Sequence, residues 1–370
     1  MATIEDQIKE VEAEIDKTQK NKNTEYHLGK LKAKIARLKI EQEKRRSSGG
    51  GGGLSYGVKK SGSATVAIVG FPSVGKSTLL NRLTDAESEV GAYDFTTLDV
   101  VPGIMEYKSA KIQILDLPGL IRDAAKGKGR GREVLSVVRS ADLILFVLDF
   151  YDTNLDVLLN ELEGSGMRMN THKPNVVITK HDMGGIDIKP TIKMTRMSEE
   201  LAKDVVAEYG YTSAEVVIRE DVDVDQLIDV LTGNRIYSKA ILAINKIDIA
   251  QKDQLDRVQE IFKAWHPVMI SASKNIGMDE LKEAIFKHID LVRIFLKKQG
   301  QEADMKDPLI IRRDSTIGEV CDSLHRVFRQ NFRYAIVWGK SAKFPGQMVG
   351  LDHVLQDGDI LNIIIKRTGE

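Results

Sequence analysis

The sequence predicts an α/β protein: a mostly parallel sheet covered by helices on both faces, with smaller elements before, inside and after it. Three observations carry this. From residue 64 onward, short β-rich apolar runs alternate with helical stretches: ATVAIV, KIQILD, LILFVLD, KAILAI and PVMIS. The first of these runs leads into GFPSVGKST at 70–78, a glycine loop that opens a helix. The last segment, 308–370, changes character. There PLIIR, an amphipathic helix at 316–328, YAIVW and ILNIIIK read as a small α+β domain.

Residues 1–46 read as a helical hairpin. Ile4, Ile8, Val11 and Ile15 share one helix face, and Leu28, Leu31, Ile35 and Leu38 share another. The polar TQKNKNT between them is a turn. Charge is segregated: residues 1–16 carry six acids and one lysine, whereas 17–46 carry eleven Lys or Arg and three acids. Two readings stand side by side. Either two solvated faces pair with each other, or the basic excess meets RNA or an acidic partner. Residues 47–61 begin SSGGGGG and form a flexible linker. The α/β domain is expected over 62–170 and 238–295. Between its two parts lies an inserted α+β domain, 171–237, with a helix near 198–209 and a strand near VVI. The last domain is expected over 300–370, with Gln301–Lys306 as the linker before its 308–370 segment.

Composition bounds the function classes. The 370 residues are 42% hydrophobic and 29% charged, ordinary for a soluble globular protein. Net charge is zero, so overall charge does not point to nucleic acid, and no DNA partner is expected. One cysteine, Cys321, allows no intrachain disulfide and fits a reducing compartment. Apolar runs such as LILFVL are too short to span a bilayer, and the N-terminus lacks a signal-peptide core. A cytoplasmic protein with no membrane partner is expected.

The loop at 70–78 fits G-x-x-x-x-G-K-S in its strand–loop–helix setting. Gly70 and Gly75 let the backbone curl so that N–H groups point at phosphate oxygens. Pro72, Ser73, Val74 and Thr78 complete the candidate phosphate cradle, and the helix N-terminus adds partial positive charge. Lys76 is expected to reach the β- and γ-phosphates, and Ser77 to ligate Mg²⁺. FTTL at 95–98 offers Thr97 as a second Mg²⁺ and γ-phosphate contact. DLPG at 116–119 offers Asp116 for Mg²⁺ through water and the Gly119 N–H for the γ-phosphate. Lys76, Thr97 and Gly119 are the candidate catalytic set.

Guanine is commonly selected by [NT]KxD, whose carboxylate accepts from N1–H and the 2-amino group, a pattern adenine cannot offer. The chain has two candidates: TKHD at 179–182 and NKID at 245–248. Distance along the chain favours the first. Context favours the second: NKID follows AILAI and precedes a helical stretch, and SASK at 271–274 ends the strand PVMI. Asn245, Lys246 and Asp248 are therefore assigned to guanine, and Ser271, Ala272 and Ser273 bring the Ala272 N–H to guanine O6. GTP or GDP is the expected ligand.

With GFPSVGKST, FTTL, DLPGL, GKGRGRE, NKID and SAS in this order, the chain resembles the developmentally regulated GTP-binding proteins, a family within the Obg-related translation-factor GTPases. The resemblance covers nearly the whole length. It implies a P-loop GTPase domain with an inserted domain, an N-terminal helical hairpin and a C-terminal TGS domain, a ubiquitin-like β-grasp. It further implies a slow, potassium-stimulated GTPase of ribosomes or translation, with rRNA as a partner and, in eukaryotes, a dedicated regulatory protein. Some potassium-dependent relatives outside this family hold K⁺ with an asparagine where this chain has Ser73.

Many such enzymes carry a glutamine just after the DxxG glycine, to orient water. Here it is Leu120, which cannot hydrogen-bond water, so slow intrinsic hydrolysis is expected. The run Lys126–Arg132 reads either as a solvated loop or as a cationic segment that orders on phosphate, rRNA or an acidic surface. The rival to a hydrolysing switch is an RNA- or ribosome-binding adaptor whose nucleotide is mainly structural.

Overall fold

A computed structural model describes residues 3–19, 21, 24–47, 62–84, 101–117, 131–298 and 300–366. The chain divides into two compact units: Met1–Ser55 with Gly166–Tyr237, and Tyr56–Ser165 with Ser238–Glu370. Most of the linker, FTTL with Thr97, and Gly119 through Arg130 lie outside the described residues.

In the first unit the hairpin helices are Ile4–Lys17 and Glu25–Ser47. Thr3 caps the first in a capping box with Asp6. The inserted domain is a three-stranded sheet with Ala214–Ile218 at its centre. That strand runs antiparallel to Val176–Lys180 and parallel to Ile186–Pro190. Helices Glu199–Glu208 and Val224–Thr232 pack on it, and the hairpin's long helix packs on both of them. Ala33 is fully buried in the same cluster as Leu201, Val205 and Leu227. A Cβ on Gly29 would approach Leu201 Cδ2 to 3.0 Å, so the helices are in close contact there.

This packing engages part of the basic excess noted in the sequence. Lys30 pairs with Asp204 at 3.0 Å, Lys32 with Asp225 at 2.6 Å and Arg37 with Glu208 at 3.2 Å. On the other side Lys39 meets Glu12 and His27 meets Glu14 within the hairpin. Three of the eleven basic residues of 17–46 thus pair with the inserted domain of the same chain. Exposed pairs of this kind contribute about 0–1 kcal/mol each, so the apolar contact holds the helix and the charges set its register.

The second unit contains the large sheet. Six of its seven strands run in the order Val268–Met269, Ile236–Asn245, Leu143–Asp149, Ala64–Gly70, Ala110–Asp116 and Val101–Tyr107. These six are parallel except the last, which forms an antiparallel hairpin with its neighbour. Ala64–Gly70 and Leu143–Asp149 are buried throughout, as expected for strands covered on both faces. Helices Lys76–Leu83 and Met278–Ile289 share a core cluster with this sheet.

The C-terminal domain is a five-stranded sheet in the order Leu309–Arg312, Leu291–Leu296, Ile360–Ile365, Phe332–Trp338 and Gln347–Val349, with helix Ile317–Leu324 packed on one face. Two sequence expectations shift here. All but the last residue of Leu291–Leu296 falls within 238–295 by sequence, but the strand pairs with the C-terminal strands, so that domain starts at 291 instead of 300. The single helix expected at 316–328 breaks at His325, which is extended, and restarts as Arg326–Gln330. Arg312 reaches Asp142, whose other oxygen accepts the Thr65 N–H at 2.9 Å. The domain is therefore anchored where strand Ala64–Gly70 begins, the end opposite the phosphate loop.

Candidate functional site

The phosphate loop grows from the C-terminal end of Ala64–Gly70. A Cβ on Gly70 would come within 2.3 Å of the Val147 carbonyl oxygen, so the strand pair leaves room only for glycine. Ser73 and Gly75 both have positive φ, 64° and 97°, which folds the loop back on itself. Helix Lys76–Leu83 then starts with no side-chain cap, so its first N–H groups are left for a ligand. Val74 is buried, while Pro72, Ser73, Ser77 and Thr78 are exposed at the loop surface.

The Lys76 ammonium donates to the Gly70 and Phe71 carbonyls at 3.0 and 2.9 Å, folded over its own loop. Burial lowers its pKa from the ordinary lysine value, with Asp116 pulling the other way. The Ser77 hydroxyl donates to Asp116 Oδ2 at 2.7 Å. The other carboxylate oxygen, Asp116 Oδ1, is buried and has no hydrogen-bond partner among the described residues. A buried orphan oxygen beside a hydroxyl is an all-oxygen donor pair that suits a hard cation such as Mg²⁺.

The second half of the site lies at the ends of Ile236–Asn245 and Val268–Met269. Asn245 is buried. Its Nδ2 donates to the Val74 carbonyl at 2.8 Å and its Oδ1 accepts the Ala272 N–H at 3.0 Å. Asn245 therefore ties the phosphate loop to the 271–273 loop. The expected role of the Ala272 N–H shifts accordingly: that buried donor is already engaged by Asn245, and the Ser273 N–H is the loop donor with no acceptor among the described residues. Lys246, at φ 66°, places its ammonium 2.9 Å from Asp149 Oδ2. Burial alone would raise the Asp149 pKa. The Lys246 ammonium and the Asp152 and Tyr151 N–H groups outweigh it and hold the carboxyl below its ordinary value. Asp248 is exposed, and a 2.6 Å hydrogen bond from Ser271 keeps its pKa low and its carboxylate ionised. The Ser271 oxygen also accepts the Lys274 N–H at 3.2 Å, so the pair is pinned.

TKHD sits elsewhere. Thr179 and Lys180 end a strand at the edge of the three-stranded sheet, paired with Glu215 and Ala214, in the first unit. Two residues in contact with the site escaped the motif reading: Asp149, the last residue of LILFVLD, and Arg82, which donates to the Ala272 carbonyl.

Comparison with known proteins gives this arrangement a family. Residues 65–181 match the family described as 50S ribosome-binding GTPase, 183–291 match the C-terminal region of the MMR_HSR1 domain, and 292–365 match the TGS domain. The chain is 43% identical over 365 residues to human developmentally-regulated GTP-binding protein 2, covering 98% of this chain and 100% of that one. It is 52% identical over 367 residues to an uncharacterised GTP-binding protein of Methanocaldococcus jannaschii, covering 98% and 93%. The chain belongs to the developmentally regulated GTP-binding protein family. As a member it carries a guanine-nucleotide-binding GTPase domain and a C-terminal TGS domain. The match to the GTPase family ends on TKHD, at residue 181, yet it is NKID that hydrogen-bonds to the phosphate loop in this family member. Among the described residues no helix is long and apolar enough to cross a membrane.

Proposed function

We propose that the protein is a GTP-hydrolysing switch that acts in the cytoplasm on ribosomes during translation. The observation that carries the chemistry is the Ser77–Asp116 pair with its orphaned carboxylate oxygen beside Lys76. Ser77 and Asp116 would hold Mg²⁺, which supplies charge neutralisation at the β- and γ-phosphate oxygens. Lys76 would leave the Gly70 and Phe71 carbonyls for the phosphates, exchanging two neutral acceptors for anionic ones. Asn245 keeps the phosphate loop and the base loops in fixed register. Asp248, held ionised by Ser271, accepts from guanine N1–H and the 2-amino group. Thr97 and the Gly119 N–H would close on the γ-phosphate, and their release after hydrolysis would be the switch.

Leu120 offers water no hydrogen bond, so turnover alone is slow and awaits an activator: K⁺ near Ser73, the Lys126–Arg132 run, or a partner protein. The description of the matching family as ribosome-binding supports the ribosomal reading. Lys30, Lys32 and Arg37 are engaged by the inserted domain, which reduces the basic face that the adaptor reading draws on. Co-sedimentation with ribosomes in GTP analogue, GDP and no nucleotide tests the proposal, alongside phosphate release in KCl and NaCl. Nucleotide-independent ribosome binding would favour the adaptor. Absence of GTP turnover in either salt, with ribosomes present, would refute the switch.

A further inference from the structure

Arg82 joins the helix that follows the phosphate loop to the 271–273 loop. It projects from the helix that begins at Lys76. Its Nε donates to the Ala272 carbonyl at 3.1 Å, and its Nη2 to the Ser273 carbonyl at 3.4 Å. The [NT]KxD and SAS motifs contain no arginine, so this contact comes from outside them. A guanidinium suits it: the fork offers donors in fixed relative positions, whereas a lysine ammonium offers one point charge.

Peptide geometry turns this contact into a statement about the base. The described peptide bonds are all trans. In a trans peptide the C=O and the N–H point in opposite directions. By holding the Ala272 carbonyl, Arg82 therefore fixes the direction of the Ser273 N–H, the other end of the same peptide unit. The neighbouring donors are engaged: Ala272 N–H on Asn245 Oδ1 and Lys274 N–H on Ser271 Oγ. Within 271–274 the Ser273 N–H is the one donor with no acceptor among the described residues. Donation to the carbonyl also polarises the peptide and strengthens its N–H as a donor.

We infer that Arg82 is a positioning residue for base recognition, aiming the Ser273 N–H at the 6-oxo group of guanine from behind the peptide. The inference rests on the reading of Asp248 and Ser271–Ser273 as the base site. It divides recognition into two separately anchored halves. Ser271 holds Asp248, which reads N1–H and the 2-amino group. Arg82 holds the Ala272–Ser273 peptide, which reads O6. Because Arg82 and Ser77 belong to one helix, the O6 donor is referenced to the element that grips the phosphates.

Two variants and three nucleotides test this. Arg82→Met keeps the apolar stem and removes the fork; Arg82→Lys keeps the charge and can serve one carbonyl. Affinities are measured for GDP, for 6-thio-GDP, in which the weaker acceptor sulfur replaces O6, and for IDP, which lacks only the 2-amino group. A thermal melt verifies that each variant is folded. The preference for GDP over 6-thio-GDP is expected to shrink about 5- to 10-fold in Arg82→Met, the worth of one hydrogen bond to a buried-edge acceptor. The preference for GDP over IDP is expected to hold, and Arg82→Lys to fall between wild type and Arg82→Met. An equal loss for all three nucleotides, or an unchanged 6-oxo preference, overturns the inference and leaves the base site standing. A wild-type protein that separates neither analogue from GDP removes the base-site reading, and the inference with it.

Discussion

Replacing Asn245 by alanine removes a side chain that joins the phosphate loop to the 271–273 loop through both of its polar atoms. Asn245 is 3% exposed, and its two hydrogen bonds, 2.8 Å to the Val74 carbonyl and 3.0 Å from the Ala272 N–H, are both buried. Alanine orphans both partners. Leaving a buried polar group unsatisfied costs about 1–3 kcal/mol, which puts the two together at about 2–4 kcal/mol after partial hydration. The neighbour on that side is Gly75, whose Cβ would stand only 2.5 Å from Asn245 Nδ2, so there is no side chain to relax into the gap. Hydrogen exchange of the Ala272 amide in nucleotide-free protein reads the effect directly. It is expected to accelerate roughly 30- to 700-fold, at about 1.4 kcal/mol per decade. GDP affinity should fall with it. Asn245→Asp provides the contrast: it keeps an acceptor for Ala272 but sets a carboxylate oxygen against the Val74 carbonyl. There the Ala272 amide should stay protected while the phosphate loop loosens. An Ala272 amide that exchanges at the wild-type rate in Asn245→Ala, with GDP affinity intact, would falsify the coupling.

Three further outcomes are expected. Burial lowers the Lys76 pKa, and phosphate binds the charged form, so GDP affinity should be full below that lowered value and fall as pH rises through it, before the ordinary lysine value of about 10.4. Lys76→Arg stays charged and should flatten the profile; superimposable profiles for the two proteins would contradict this. Ala33→Asp buries a carboxylate among Leu201, Val205 and Leu227 at a cost of about 3 kcal/mol or more, and should free the lysine-rich helix for trypsin. A wild-type cleavage pattern would mean that the hairpin does not depend on this contact. Asp248→Asn should move nucleotide preference from guanine toward xanthine, and unchanged GTP affinity would send the base assignment back to TKHD.

The parallel sheet was legible because buried strands are apolar runs bounded by glycine loops, and the phosphate loop because its spacing leaves few alternatives. The choice of NKID over TKHD rested on the strand–loop–helix setting of NKID, although distance along the chain pointed the other way. Leu291–Leu296 was harder. The helix Met278–Ile289 runs almost into it, and the break between them is a single left-handed residue, Asp290, which no glycine or proline announces. Asp149 and Arg82 were not legible, since their roles depend on partners about 97 and 190 residues away. The basic excess of the hairpin was plain in the sequence. Its partner was not, because charge complementarity names a sign and never a surface.

The docking of the hairpin on the inserted domain also sets an order of events during synthesis. Tyr26 bonds to Asp204, 178 residues later, and Lys32 to Asp225, 193 residues later. At about 5–20 residues per second, the hairpin emerges on the order of ten to forty seconds before the surface that receives Ala33 exists. Through that interval its apolar stripe has only its own second helix for cover. The segregated charges keep such a waiting segment soluble and disfavour pairing with a second copy of the same helix. A part of the chain made early is thus among the last to be completed, and a stall in translation before residue 204 would leave it exposed beside the ribosome that produced it.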